Sequence, residues 1–294
     1  MKALIIVAPT IGADVRNALR VAVTDAFDSA TDACEICEIR TGESMADEVG
    51  RRMVVGGLDC VVAAGGDGTV SSVAHSLVGT DIPLGIVPVG TGNLVARELG
   101  IPLDIDEAVK LIAGRHRLRR IDVMDIAGRT YLLNAGVGIN AEVIDRTSRL
   151  GKSLFGRSAY VGTAVWEVLQ AKPQRLEIAV DGVTQTYEAT DVLISNCGTL
   201  ARVLHPNGPD IRADDGQVDV CVICMKMPLE YPWYYLLKSM FPKRVNRIIH
   251  EMTAKKSVVV RSELPISVQA DGDIIQTTPV VVDVQPNALG VMVP

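Results

Sequence analysis

Two glycine-rich stretches hold the residues of this chain best suited to handling a phosphate. The first, Gly65-Gly66-Asp67-Gly68-Thr69, follows a short apolar run from Val61 to Ala64. Three glycines around one aspartate let the backbone fold tightly and approach a ligand without Cβ clashes. Val70, Val73, Ala74 and Leu77 then recur at helical spacing, with Thr69 as the expected N-cap. Free N–H groups and the helix dipole at such a point favour an anion, typically a phosphate. A solvated aspartate in a left-handed turn is the plainer reading of the same residues. The second stretch repeats the design: Leu84 to Val89 is strand-like, Gly90-Thr91-Gly92-Asn93 is a glycine turn, and Leu94 to Leu99 is helical. In a parallel sheet such turns emerge at the carboxyl ends of the strands, where ligands bind. Two of them flanking one crevice predict a phosphate site. No Gly-x-x-x-x-Gly-Lys-Ser/Thr occurs, so it is not a Walker A loop.

Other groupings carry weaker signals. Gln269-Ala270-Asp271-Gly272-Asp273 places two carboxylates at a hairpin turn, and Arg212 to Val220 reads as an acidic turn entering a strand. Cys34/Cys37 and Cys221/Cys224 have zinc-like spacing, but both pairs fall in alternating β-branched segments. Residues i and i+3 of a strand point to opposite faces, so these cysteines read as buried, reduced thiols. Asn134 to Ala141 contains Gly-x-Gly-x-x-Ala, yet no acidic strand end follows at the distance a dinucleotide site needs, and a tight turn is expected there.

The elements that position these residues divide into two kinds. Strands at Ala3 to Ala8 and Ala33 to Arg40 alternate with helices at Ala13 to Ser29 and Ser44 to Val55. The two glycine-turn units follow, then a helix from Ile105 to Ala113 and a strand through Ile121-Asp122-Val123. That alternation implies right-handed crossovers and a doubly wound parallel sheet, an α/β domain. Arg115 to Arg120 reads as a solvated helix end. Beyond residue 124 the pattern is of strands, at Arg175 to Asp181, Thr184 to Tyr187, Asp191 to Cys197, Gln217 to Lys226, Ser257 to Arg261 and Ile266 to Ala270. Asp-Gly turns at residues 181 and 271 suit a mainly antiparallel sheet or β-sandwich. A nucleotide-binding domain over 1–124 and a β-rich domain over 125–284 are expected, with an active site in the cleft between them.

The 294 residues leave room for two domains with sizeable cores. A net charge of −6 argues against a nucleic-acid partner. The apolar run after Met1 is too short for a signal peptide and no run reaches a membrane span, so a cytoplasmic location is expected.

The pairing of Gly65-Gly66-Asp67-Gly68-Thr69 with Gly90-Thr91-Gly92-Asn93 resembles the catalytic region of the diacylglycerol kinase, sphingosine kinase and bacterial lipid kinase family, over essentially the whole chain. NAD kinases share only the first motif. The resemblance implies the two-domain plan, with the terminal strand, 285–294, returning to the first domain. It implies that ATP is held by Thr10, Thr41, Gly65, Gly66, Asp67, Gly68, Thr69, Val70, Ser71, Gly90, Thr91, Gly92 and Asn93, with Asp67 holding the Mg²⁺ that bridges the phosphates. It implies that Asp273 is the catalytic base, where the family carries glutamate, and that Asp122 is the second active-site aspartate. A structural Mg²⁺ would take Asp215 and the carbonyls of Arg212 and Gln217. Several positions depart from the family pattern: Ala8 replaces asparagine, Ser71 and Ser72 replace Asn-Glu, Leu94 replaces aspartate, and Asp273 is one methylene short.

Substrate access is the last clue. Tyr231, Trp233, Tyr234, Tyr235 and Phe241 cluster beside Lys238, Lys243 and Arg244, which fits an interfacial helix touching lipid headgroups or a core helix on the second sheet. The combined expectation is an ATP- and Mg²⁺-dependent kinase acting on a lipid hydroxyl such as that of diacylglycerol, with peripheral membrane contact. A homodimer is one option for its assembly. An NAD kinase and a catalytically idle nucleotide or lipid sensor are the rival readings.

Overall fold

The computed structural model describes residues 1–27, 33–138, 172–198, 211–224 and 249–294. The first part alternates as the sequence predicts: β1 (Lys2–Val7), α1 (Ala13–Ala26), β2 (Ala33–Glu38), α2 (Met45–Val55), β3 (Cys60–Gly65), α3 (Asp67–Leu77), β4 (Leu84–Pro88), α4 (Leu94–Glu98) and α5 (Ile105–Ala113). The strands pair in parallel in the order β2-β1-β3-β4. β3 is buried at every residue, and its alternation splits it between two layers. Val61 and Ala63 pack with Val70, Val73 and Leu77 of α3, whereas Val62 and Ala64 pack with Leu19 and Val23 of α1 and Val109 and Ile112 of α5. Each buried valine, leucine or isoleucine among them contributes roughly 1.5–3 kcal/mol. Side-chain caps fix where two helices begin. Ser44 accepts from Asp47 N–H at α2, and Asp104 accepts from Asp106 and Glu107 N–H at α5.

The second part is β5 (Arg117–Ile126), β6 (Arg129–Tyr131), β7 (Asn134–Gly138), β8 (Gln174–Val180), β9 (Val183–Ala189), β10 (Asp191–Ser195), β11 (Val218–Ile223), β12 (Ile249–Ala254), β13 (Ser257–Ser262), β14 (Ser267–Ala270), β15 (Asp273–Thr277) and β16 (Val280–Val293). A separate antiparallel sheet has the order β12-β11-β10-β7-β14-β15. Its Val137, Val192, Ile194, Val220 and Val268 pack against Ile178, Val258, Val260, Val280 and Val282 of the first sheet's extension, forming the β-sandwich. β16 joins the two parts. It pairs with β13 at Val280 to Asp283, runs antiparallel along β5, and sets Val291 beside Leu84 of β4. Within β5, Ile121 and Val123 enter the core around α3, while Met124 and Ile126 enter the sandwich core.

Four expectations need correction. The basic run opens β5 rather than ending a helix: from Arg117 it pairs with β16, and charged side chains suit an edge strand. Asn134 to Gly138 is a fully buried central strand, not a turn. Its Gly136 makes room for the Gln269 side chain, whose Nε2 would stand 2.8 Å from an added Cβ. α3 begins at Asp67, with Gly66 as the cap residue and Thr69 already buried inside the first turn. The cysteines of the two spaced pairs are reduced but half-buried, and Cys37 Sγ donates to Glu48 Oε1 at 3.8 Å. The aromatic stretch from 231 to 241 lies outside the described residues, as do Ile139 to Ala141. Among the described residues no helix is long and apolar enough to cross a membrane.

Candidate active site

The two glycine turns meet. Val89 N–H donates to the Gly65 carbonyl at 3.1 Å, and Gly90 lies so close to Gly66 that a Cβ on Gly90 would overlap Gly66 Cα. Gly65 likewise leaves no room for a side chain, because Thr69 fills that space. The second turn closes on Asn93, which sits at φ 50°. Its Oδ1 accepts from Gly90 N–H at 3.0 Å and its Nδ2 donates to the Gly90 carbonyl at 2.9 Å. The amide of Asn93 is thus spent on its own turn.

Asp67 ties one turn to the other. Its Oδ1 accepts from Val95 N–H at 3.0 Å, capping α4, and its Oδ2 faces Gly92, where an added Cβ would stand 3.1 Å away. No side chain caps the N-terminus of α3. Uncapped N–H groups beside a fixed carboxylate oxygen are chemically suited to a phosphate with a hard cation. Gly68, Thr91 and Gly92 are exposed at this point, while Val70 is buried and offers only backbone. Thr10 and Thr41 are exposed just beyond the carboxyl ends of β1 and β2, on the same sheet edge.

Across from α3 stands the β14–β15 hairpin. Asp271 at φ 47° and Gly272 at φ 94° make the two-residue turn that Asp-Gly favours. The Asp271 carboxylate collects four donors: Ser71 Oγ at 2.7 Å and Leu132 N–H at 2.8 Å on Oδ2, Leu133 N–H at 2.9 Å and Asn134 N–H at 3.1 Å on Oδ1. Burial pushes this carboxyl upward, and the four bonds oppose that shift. Asp273, two residues on, is exposed and lines a cleft of about 680 Å³ with Gly68, Ser71, Ser72, His75, Arg129 and Tyr131. His75 also contacts Thr130 Oγ1 through Nδ1 at 3.2 Å. The cleft therefore brings Asp273 and the first glycine turn together.

It does not include Asp122. That residue is fully buried, with Oδ1 accepting from Asn287 N–H and Oδ2 from Gly216 N–H, both at 2.7 Å. Desolvation raises its carboxyl, with Asp215 and Asp214 adding to the rise and the two N–H donors working against it. Asp122 pins the turn from Arg212 to Gln217 onto the irregular stretch of β16. In that turn Asp215 is exposed and accepts from Gln217 N–H at 3.2 Å and Gln217 Nε2 at 3.3 Å. Neighbouring Asp214 is held below the usual carboxylate range, first by Arg119 and then by Arg212. His75, Arg129 and Tyr131 were not singled out in the sequence. Only the packing of β6 beside α3 brings them to the cleft, and no local motif marks them.

Two family profiles cover most of the chain. The diacylglycerol kinase catalytic domain matches residues 2–126, and the YegS C-terminal NAD kinase beta sandwich-like domain matches residues 134–293. A diacylglycerol kinase of Mycobacterium tuberculosis is 30% identical over 254 residues, covering 82% of this chain and 79% of the relative. An uncharacterized protein of Synechocystis is 31% identical over 241 residues, covering 80% of this chain and 54% of the relative, so this chain spans about half the length of that protein. The crystal structure of a diacylglycerol kinase from Bacillus anthracis superposes with a TM-score of 0.75 at 24% identity, covering 100% of this chain and 97% of that one, a likeness of fold.

Proposed function

The chain belongs to the diacylglycerol kinase catalytic-domain family, and on that premise we propose that it transfers the terminal phosphate of ATP, with Mg²⁺, to a hydroxyl of a diacylglycerol-like lipid. The observation that carries this reading is one cleft lined both by Asp273 and by Gly68 at the uncapped start of α3. In this account the phosphates lie on the N–H groups of Gly66, Asp67 and Gly68 and of Thr91 and Gly92, since Thr69 N–H is held by the Gly66 carbonyl and Gly90 N–H by Asn93 Oδ1. Asp67 suits the cation because its Oδ1 is fixed by Val95 N–H and its Oδ2 stands beside the exposed Gly92 of the second turn. Mg²⁺ bound there supplies neutralisation of the charge that develops on the phosphates. The acceptor oxygen forms its bond to the terminal phosphorus, the bridging P–O bond breaks, ADP leaves, and Asp273 takes the hydroxyl proton. A further cation in the turn from Arg212 to Gln217 would bind an Asp215 carboxylate whose oxygens already accept from Gln217 N–H and Nε2.

Asp122 acts in this account as a buried anchor for that turn, away from the acceptor. The composition of the stretch from Tyr231 to Phe241 supports contact with a lipid surface, which would present the acceptor to the cleft. The test is incubation with γ-labelled ATP and Mg²⁺ alongside vesicles containing diacylglycerol and, separately, NAD. Label in a phospholipid product is the expected result. Label in NADP instead, or ATP binding with no labelled product, would replace this reading with the NAD kinase or the sensor.

A further inference from the structure

Both Asp-Gly hairpins in this protein use the aspartate as a staple. Asp181 accepts backbone N–H from Lys255, Lys256 and Ser257, all within the sandwich. Asp271 does the same for Leu132, Leu133 and Asn134, but adds a fourth donor from the other side of the cleft. That donor is the Ser71 hydroxyl at 2.7 Å, from a residue 200 positions away and two residues past the glycine turn. Ser71 lies in the first turns of α3, whose N-terminus is the phosphate cradle, and is 7% exposed. Asp273 is the first residue of β15, directly after the stapled turn.

We propose that Ser71 and Asp271 form a clasp between the nucleotide half and the acceptor half of the molecule, and that this clasp sets the reach of Asp273 toward the phosphate cradle. Ser71 is then a positioning residue that acts through Asp273. The proposal rests on the kinase reading above and reassigns Ser71, which the family resemblance places among the nucleotide-binding residues. Its hydroxyl proton is committed to Asp271. The hairpin itself does not depend on the clasp, because three backbone donors and the Asp271 N–H to Asn134 carbonyl bond at 2.9 Å remain without it. Removing the hydroxyl therefore frees the hairpin relative to α3 without unfolding it. Misplacement of a reacting group by about 1 Å can cost on the order of 100-fold in rate. A base on an aspartate, with its short side chain, has little slack to absorb such a shift.

The test is a kinetic cycle on the full chain with γ-labelled ATP and diacylglycerol vesicles. Ser71→Ala should lower kcat about 10- to 100-fold with KM for ATP held within about twofold, and Ser71→Thr, which keeps the hydroxyl, should recover most of the rate. In the Asp273→Asn background Ser71→Ala should cost nothing further, since the group it positions is gone. An undiminished kcat in Ser71→Ala would overturn the clasp. So would a raised KM for ATP at native kcat, which would return Ser71 to the nucleotide, or an equal penalty in both backgrounds. In each of those outcomes the native enzyme still phosphorylates lipid and the kinase reading stands. A native protein that labels no lipid would remove both.

Discussion

Gly90→Ala is the perturbation that most sharply tests whether the two glycine turns form one site. A methyl at Gly90 would overlap Gly66 Cα, stand 3.0 Å from Gly66 N and 2.9 Å from Asn93 Oδ1. Carbon atoms in contact settle at about 3.5–4.0 Å, so the turns would have to separate by roughly an ångström. The Gly66 atoms, Cα nearest of all, are backbone and cannot rotate away. β3 and β4 resist the separation, being paired from Val61↔Leu84 to Gly65↔Pro88, and Val89 N–H holds the Gly65 carbonyl just beyond. Overpacking of this kind costs about 1–3 kcal/mol. If that strain falls on the cradle, nucleotide affinity drops about 5- to 150-fold. Titration calorimetry with MgATP measures the affinity, and a thermal melt separates lost binding from lost fold. Gly68→Ala is the stability control: nothing lies within 4 Å of its added Cβ, and the residue is helical, so the melt should hold or rise slightly. Native affinity and native Tm in Gly90→Ala would refute the argument that both turns share one ligand.

Asp67→Asn should abolish Mg²⁺-dependent transfer at unchanged Tm, since asparagine can still cap α4 through Oδ1 but cannot neutralise a cation; turnover with native Mg²⁺ dependence would count against this. Asp219, buried in β11, is pushed up to about 6, chiefly by burial and then by Asp215 and Glu251. The folded state then holds this proton more tightly than the unfolded chain, so its contribution is full below about pH 4 and is lost as pH rises through about 6. Asp219→Asn should flatten that limb, worth on the order of 2–3 kcal/mol, and melts at pH 5 and pH 7.5 that change equally in native and variant protein would contradict it. Alanine at Trp233, Tyr234 and Tyr235 should weaken cosedimentation with diacylglycerol-containing vesicles, while turnover on a short-chain, monomeric lipid is preserved.

The parallel half was legible because its signals are local. Val61 to Ala64 is apolar without alternation, as a strand covered on both faces must be, and Ser44 and the Ile105 to Ala113 stripe mark helices where they occur. The Asp-Gly turns at 181 and 271 were legible for the same reason. β7 was not, because glycines in a central strand look like a turn until Gln269 is seen filling the space above Gly136. Nor was the start of β5, where arginines hide a strand whose identity comes from its pairing with β16. At the site, Asp67 and Asp273 could be picked out as carboxylates beside turns. What each oxygen does could not: Asp67 caps a helix that starts in the other turn, and Asp122 anchors two backbones remote in sequence. The donors on Asp271 come from residues 71 and 132 to 134, so only the assembled fold reveals the clasp.

The central claim is that a carboxylate at position 273 drives transfer from a nucleotide held at α3, and single-turnover phosphorylation of diacylglycerol at saturating ATP measures it directly. A general base contributes on the order of 10²–10⁴ in rate, so Asp273→Asn should slow the transfer step by about that factor while binding ATP as the native protein does. Asp273→Glu, with the carboxylate kept and one methylene longer, should remain active. Transfer at the native rate in Asp273→Asn would place the base elsewhere and contradict the account.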